Sequence, residues 1–576
     1  MHVVKSYRPQ NFIYDIYFKA LFPNIIAVLG GTINVFFDGV LVGQRLGEAG
    51  LAAVSQSLPV YLILCTVGSL FGSGSSFLTS IATGEGNAKK GLRIFRATLI
   101  TSALAGILVS VVGLAFLDPI STLLASPDNL DMVRDYIEIT LYGGVFKVLL
   151  YIPFFYLRLE GKNNRSASAM LVMTVLNIAL DYAFLFIWDD MFRSPITGAA
   201  FASVLATAVA CIMSFIYLFT DHSNFTPGFA RYHKEDWLGV FEYGSPMALN
   251  NVFSSLRILA LDLILKSIGI PGTLAIFAVI NNINEFSICV QNGVPQTASA
   301  MTGVFHGEKD SSAVKKLLNV QLGIGFVLCV GFAFIAICCM DDIGGWFGCT
   351  RDVTAAMLCF LFSLYPAVVN NTMSYYFNEI GRIDLANVIT FCRSFGMIVL
   401  FALIMKMTGG LIWLYYPLAE VATFALVTGI GFIMSKKKDL TPFYLLDESF
   451  EKSGQTVKYL VNCDDEEICG VSKNIEEFCD VNGFDSRKTM AISLAIEEIL
   501  MILSQKSLMG EGKMDLRVLK SGEHAIVRVR SMGSRYNPIE EMKDDLDYMG
   551  VKMITKMATK VEYLSSLGVN TLIIFL

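Results

Sequence analysis

Residues 23–52 read PNIIAVLGGTINVFFDGVLVGQRLGEAGLA, with Asp38, Arg45 and Glu48 as the only charges. Between Lys19 and Arg45 only Asp38 is charged, and this stretch exceeds the roughly 20 residues that cross a bilayer core, so it reads as a membrane span with one carboxylate deep inside it. The run is too long for the core of a secretion signal and lacks an obvious small-residue cleavage site, so it is expected to remain as the first span. Working outward, further apolar runs are bounded by charges or turn residues. With the first they lie near 16–42, 51–83, 93–117, 134–159, 167–189, 198–220, 243–267, 272–305, 317–340, 353–379, 385–407 and 411–434, which predicts twelve spans. The second and eighth are polar for lipid-facing helices and are expected to line the interior.

Of the 576 residues, 54% are hydrophobic and 16% charged, and the mean hydropathy is +0.57. The chain has 44 basic and 50 acidic side chains, and 42 of these charges fall after residue 435. The predicted organisation is an all-α polytopic membrane protein with lobes at 1–225 and 226–435, a linker at 436–449, and a soluble α/β domain at 450–576. This composition excludes a soluble enzyme and a secreted disulfide scaffold. The net charge of −6 offers no polybasic surface, so no nucleic-acid partner is expected. The 12 Cys form no Cys-x-x-Cys pair and the five His are scattered, so no metal centre is expected.

Basic residues in the loops set the orientation. One side collects nineteen Lys and Arg, among them Lys5, Arg8, Lys89, Arg158, Lys162, Lys315 and Lys436 to Lys438. The other holds six: Arg45, Arg134, Arg193, Lys266, Arg351 and Lys406. Both termini and the soluble domain are therefore expected in the cytoplasm, with the protein in the cytoplasmic (inner) membrane. The two halves also repeat. Pro23 recurs as Pro246, Leu51-Ala52 as Leu274-Ala275, Gly84-Glu85 as Gly307-Glu308, and Gly161 as Gly381. An even number of spans per repeat gives parallel six-helix halves, with a substrate site expected between them.

Carboxylates in apolar spans are costly and tend to be functional. Asn34 and Asp38 stand four residues apart, as do Asn177 and Asp181, so each helix places an amide beside a carboxyl on one face. If these helices face each other, the four side chains form a polar pocket suited to taking up and releasing an ion. In the second half, Arg257, Asp262, Glu379, Arg393 and Glu420 read as structural, with Arg257 and Asp262 able to pair across a turn. Glu285 lies in the polar run Asn281 to Asn292 and reads as cavity lining that contacts substrate or ion.

At these residues the chain resembles a family. Pro-x14-Asp-Gly-x2-Val-Gly-x2-Leu-Gly-x3-Leu-Ala-Ala from Pro23, the Gly84-Glu85-Gly86-Asn87 end of the second run, and Asn177-Ile-Ala-Leu-Asp181 together look like the multidrug and toxic compound extrusion (MATE) transporters. The resemblance covers about residues 12–435. It implies a V-shaped twelve-helix fold and antiport of an organic substrate against H+ or Na+. It also places Asp38, Asn177 and Asp181 at the coupling site of the branch whose site lies in the N-terminal lobe. The acidic residue that some relatives carry in span seven has no clean counterpart, which tilts the coupling ion towards protons.

After Lys438 the pattern predicts a strand at 457–461, helices at 465–481 and 486–506, strands near 513–520 and 524–530, a helix at 547–566 and a last strand at 571–576. This order, with Val561-Glu-Tyr-x4-Gly-x-Asn-x-Leu, resembles the histidine-kinase-like ATPase domains, especially those of anti-sigma factors. That resemblance implies nucleotide contacts at Glu498, Gly533, Asn537 and Gly550. The family's Mg²⁺-holding Asn, four residues after the helix Glu, is Met501 or Ile502 here, and its adenine-reading Asp is Ser531. Apolar side chains cannot ligate a hard cation, so the domain looks degenerate. It is expected to lack phosphotransfer and to serve regulation or docking of a cytoplasmic regulatory protein, with ATP binding doubtful.

The expected function is secondary antiport, in which a bacterial exporter moves a small organic, cationic or amphipathic substrate across the membrane lipid. Two alternatives stand beside it. One is a membrane-anchored sensor acting through the C-terminal domain, and the other is a flippase for a lipid-linked precursor.

Overall fold

The computed structural model describes residues 11–220, 223–268, 273–340, 352–452, 455–510, 512–521, 524–541 and 548–576. Lys5, Arg8 and Arg351, used above for orientation, lie outside them. Among the described residues, nine helices are long and apolar enough to cross a membrane. The count is ten if the bent pair Pro127–Tyr142 and Gly144–Leu159 forms one span. The two spans predicted on either side of residue 47 appear as two helices within Asn11–Gly84, 74 residues in all, that meet at a kink. At ~1.5 Å per residue this would be ~110 Å long if straight. Gly47 (φ 64, ψ −154) breaks it into two arms, with a backbone conformation that L side chains rarely adopt.

The repeat read from the sequence reappears as a reciprocal contact between lobes. A Cβ on Gly84 would lie 2.1 Å from Val304 O, and one on Gly307 would lie 2.3 Å from Ile81 O. The same four positions, exchanged between the halves, form both contacts, as a pseudo-two-fold axis requires. Only glycine permits this backbone approach. The lobes thus close on each other at the end that carries residues 84 and 307. At the Gly47 end they part around a groove of about 560 Å³ whose lining includes Phe36, Gln44, Glu48, Asn282 and Glu285.

The segment 436–449 is pinned to the second lobe. Leu445 and Leu446 are buried, Tyr376 Oη donates to Tyr444 O at 2.8 Å, and Lys315 pairs with Glu448.

Beyond it, five strands form one antiparallel sheet of order β1-β2-β3-β5-β4: Thr456–Asn462, Lys513–Ser521, His524–Ser531, Val569–Phe575 and Lys560–Ser566. The expected helix 547–566 is instead the helix Met549–Met557 followed by β4. Ala558 is extended (ψ 131), and from there Val561 and Tyr563 alternate with Glu562 at the two-residue period of a strand.

One face of the sheet buries Val457, Leu516, Val529 and Leu572 with the helices Asp465–Val481 and Ser486–Ile502. The opposite face turns to the membrane domain. There Lys458, Arg517 and Arg528 stand in register across β1, β2 and β3.

Candidate functional site

Asn34 and Asp38 lie one turn apart on the Asn11–Gly84 helix, and Asn177 and Asp181 likewise on the Asn163–Tyr182 helix. The two helices meet closely at Gly30, where Thr174 Oγ1 donates to Gly30 O at 2.9 Å and would sit 3.1 Å from any Cβ. This approach brings the two pairs together. With its amide nitrogen turned inward, Asn177 donates to Asn34 Oδ1 at 2.8 Å and to Asp181 Oδ2 at 3.2 Å, and accepts from Ser203 Oγ at 3.1 Å.

Asn34, Asp38 and Asn177 line a cavity of about 350 Å³ inside the first lobe, together with Tyr61, Tyr136 and Lys147. Asp181 is fully buried and is linked to the cavity by that amide. The Oδ1 atoms of Asp38 and Asp181 are buried without a hydrogen-bond partner among the described residues. A buried acceptor left in that state costs about 1–3 kcal/mol, and native proteins keep few such groups without a use. Beyond Asp181 the helix continues as a π-helical turn, Ala183–Ile187, of the kind that recurs at functional sites.

Tyr61, Tyr136 and Lys147 of this cavity were not singled out in the sequence. Lys147 Nζ donates to Tyr61 Oη at 2.7 Å and also lies 4.5 Å from the centre of that ring. The signal was present, because a lysine within the apolar run 144–159 is as anomalous as a carboxylate. The cavity region therefore sets one cation beside two carboxyls in a largely apolar wall.

Glu285 is not part of this cluster. It lines the groove between the lobes, where its carbonyl accepts from Thr32 Oγ1 at 3.2 Å.

The second lobe holds a smaller polar cavity of about 90 Å³, lined by Asn250, Arg257, Gln291, Arg393 and Glu420. Arg393 Nε lies 3.2 Å from Glu420 Oε1, and Asn370 Nδ2 donates to Glu420 Oε2 at 2.7 Å. Arg257 faces this cavity beside that pair. Glu379 is buried at the end of its helix.

In the C-terminal domain, Glu498 accepts from Gly550 N at 2.8 Å and from Val551 N at 2.7 Å, so its carboxylate caps the Met549–Met557 helix. Gly550 packs on the neighbouring helix, where a Cβ would lie 2.6 Å from Ala495 N. Asn537 Oδ1 accepts from Ile539 N at 3.2 Å in a short turn. Gly533 lies against Ser507, with room for no side chain, and its carbonyl accepts from Asn570 Nδ2 at 3.0 Å. All four residues serve the domain's own backbone. No group of three or more His, Cys, Asp or Glu able to hold a metal occurs among the described residues.

A family model described as MatE matches residues 23–183 and again 246–404, the two copies beginning at Pro23 and Pro246 of the internal repeat. The multidrug export protein MepA of Staphylococcus haemolyticus is 23% identical over 319 residues, 54% of this chain and 68% of that protein. The probable multidrug resistance protein YoeA of Bacillus subtilis is 26% identical over 319 residues, 54% of this chain and 67% of that protein. A solved MATE family transporter in an outward-facing conformation shares the fold. It has TM-score 0.68 and 20% identity, covering 75% of this chain and 98% of that one.

Proposed function

This chain belongs to the MatE family, and on that premise we propose that it is a secondary antiporter exporting a small organic substrate, cationic or amphipathic, against an H+ or Na+ gradient. Its span count is then twelve: the two arms of the Asn11–Gly84 helix count separately, the bent pair counts once, and the polar Thr273–Gly307 helix is added. We place it in the cytoplasmic (inner) membrane of a bacterial cell with both termini inside, which the excess of loop Lys and Arg on that side supports.

The observation that carries this reading is the cavity in the first lobe. Asp38 opens onto it, and Asp181 is wired to it through Asn177. A carboxyl pair joined by one amide in an apolar wall can exchange a proton or Na+ for a substrate amine as the lobes rock. Glu285, in the groove between the lobes, is suited to the path by which substrate leaves. The C-terminal domain, with its resemblance to histidine-kinase-like ATPases, acts as a regulatory module without phosphotransfer. Its candidate nucleotide contact Glu498 is engaged by two backbone N–H groups, which supports that role.

The test is efflux of a panel of organic cations from proteoliposomes under separate H+ and Na+ gradients. Asp38→Asn and Asp181→Asn, inserted at normal levels, should lose gradient-driven export. Full retention in both would refute the coupling role.

A further inference from the structure

The open face of the C-terminal sheet grips both lobes at the end where they close. On the first lobe, Arg528 Nη2 donates to Gly84 O at 2.8 Å and Lys560 Nζ to Gly86 O at 2.5 Å. Leu567 N donates to Leu159 O at 2.8 Å and Gly568 N to Glu160 O at 3.3 Å. On the second lobe, Arg517 donates to Glu308 O at 2.7 Å and to Lys309 O at 2.9 Å. Lys458 Nζ lies 2.7 Å from Asp310 Oδ1. Arg528 Nη1 lies 3.4 Å from Glu308 Oε2, and Arg530 pairs with the same carboxylate.

Apart from Asp310, these acceptors stand at the C-terminal ends of the helices Asn11–Gly84 and Gly144–Leu159 in the first lobe and Thr273–Gly307 in the second. Their free carbonyls and the negative pole of each helix dipole call for cations, and the sheet presents Arg517 and Arg528 side by side on adjacent strands. A single buried guanidinium, that of Arg528, holds both lobes at once.

We propose that the C-terminal domain is a clamp that locks the two lobes together at its own end, so that the membrane domain cannot open there until the sheet lets go of one lobe. The proposal rests on the reading of the chain as an exporter that alternates between two openings, and it names how the regulatory domain acts. The lobes pivot about the pseudo-two-fold contact of Gly84 with Val304 and Gly307 with Ile81, and opening at this end must separate those backbones. A rigid sheet bonded to residues 84–86 and 159–160 on one side and 308–310 on the other cannot follow both. Docked, it favours the state that is parted at the Gly47 end. Released, it frees the opposite state.

The experiment uses the full chain in nanodiscs, with donor and acceptor dyes on unnatural amino acids at Asn164 and Asp384, exposed residues on the two lobes near this end. Single-molecule distances are read without substrate or gradient, so a failure of the transport reading leaves this readout untouched. The wild type should show one short-distance population. Arg528→Ala, and independently Gly161→Ala, whose new Cβ would meet Gly568 N at 1.9 Å, should raise the long-distance fraction on the order of tenfold, within the usual range of coupling between sites. Gly161→Ala keeps the test open if Arg528→Ala does not fold. Limited proteolysis reports release of residues 450–576. An unchanged distance distribution in a variant whose domain has been released overturns the clamp.

Discussion

Gly84 and Glu308, the ends of corresponding helices in the two lobes, are joined through one side chain. Arg528 donates to the carbonyl of the first from Nη2 and lies 3.4 Å from the carboxylate of the second through Nη1. Each helix end supplies a different acceptor, one backbone and one ionised, and a planar guanidinium reaches both because its donors diverge in fixed directions. A lysine at this position would present a point charge and could not hold the two acceptors in the same geometry.

The Glu308 carboxyl makes this junction sensitive to acid. Burial pushes its pKa up, but the guanidiniums of Arg528, Arg530 and Arg517 outweigh burial and hold it below the ordinary glutamate value. A folded-state value that is depressed contributes stability above the unfolded value of about 4.3, and that contribution is lost as pH falls through the folded value. Docking of the C-terminal domain should therefore be constant from neutral pH down to about 5 and weaken below the ordinary glutamate range. Proteolytic release of residues 450–576, followed against pH, checks this. Glu308→Gln should remove the acid step and release the domain at all pH values.

Gly161 and Gly381 occupy equivalent places in the two repeats and share a left-handed backbone, with φ of 77° and 74°. An alanine at either carries a strain of about 1–2 kcal/mol. Only at Gly161 would the new Cβ meet the C-terminal domain, since the nearest atom at Gly381 is Tyr243 Oη at 3.4 Å. Both variants should lower thermal stability modestly, while Gly161→Ala alone should expose residues 450–576 to protease. Equal exposure in the two variants would contradict this account of the interface.

Lys147 places a positive charge in the first-lobe cavity that Asp38 also lines. Lys147→Met keeps the side chain's length and removes the charge. Two like charges a few ångströms apart at intermediate dielectric repel by a few kcal/mol, partly screened here, so apparent affinity for organic cations should rise by roughly tenfold. Efflux titrations giving KM separately from the maximal rate would show the effect in KM. A neutral substrate should be affected far less.

Glu498 takes two backbone N–H groups at the start of the Met549–Met557 helix. Glu498→Ala leaves both donors without that acceptor and should destabilise the domain by about 1–3 kcal/mol, read by hydrogen exchange of residues 549–557 in the full chain. Mg-ATP added to the wild-type full chain should leave the same exchange pattern unaltered. Saturable protection there would argue for a nucleotide site after all.

Much of the membrane domain was legible because span length and the repeat are properties of contiguous residues. The Asn-x-x-x-Asp pairs belong to the same class, since four residues make one helical turn whatever the helix packs against. The break at Gly47 falls between the two expected spans, but that a single left-handed residue makes it is something an apolar run does not reveal. The Lys560–Ser566 strand was hidden for a related reason: Val561-Glu562-Tyr563 suits either period until β5 is available to pair with it.

By itself the sequence determined that this is a membrane protein of two like halves with an α/β domain behind it, and it placed carboxyls in the first lobe. Tertiary structure decided that Lys147 joins Asp38 in one cavity, that Asp181 is linked to that cavity through Asn177, and that Arg517 and Arg528 close over both lobes. The physical reason is range. Burial length and periodicity are set by neighbours along the chain, whereas the meeting of a sheet arginine with two helix ends depends on how close glycines allow distant backbones to come.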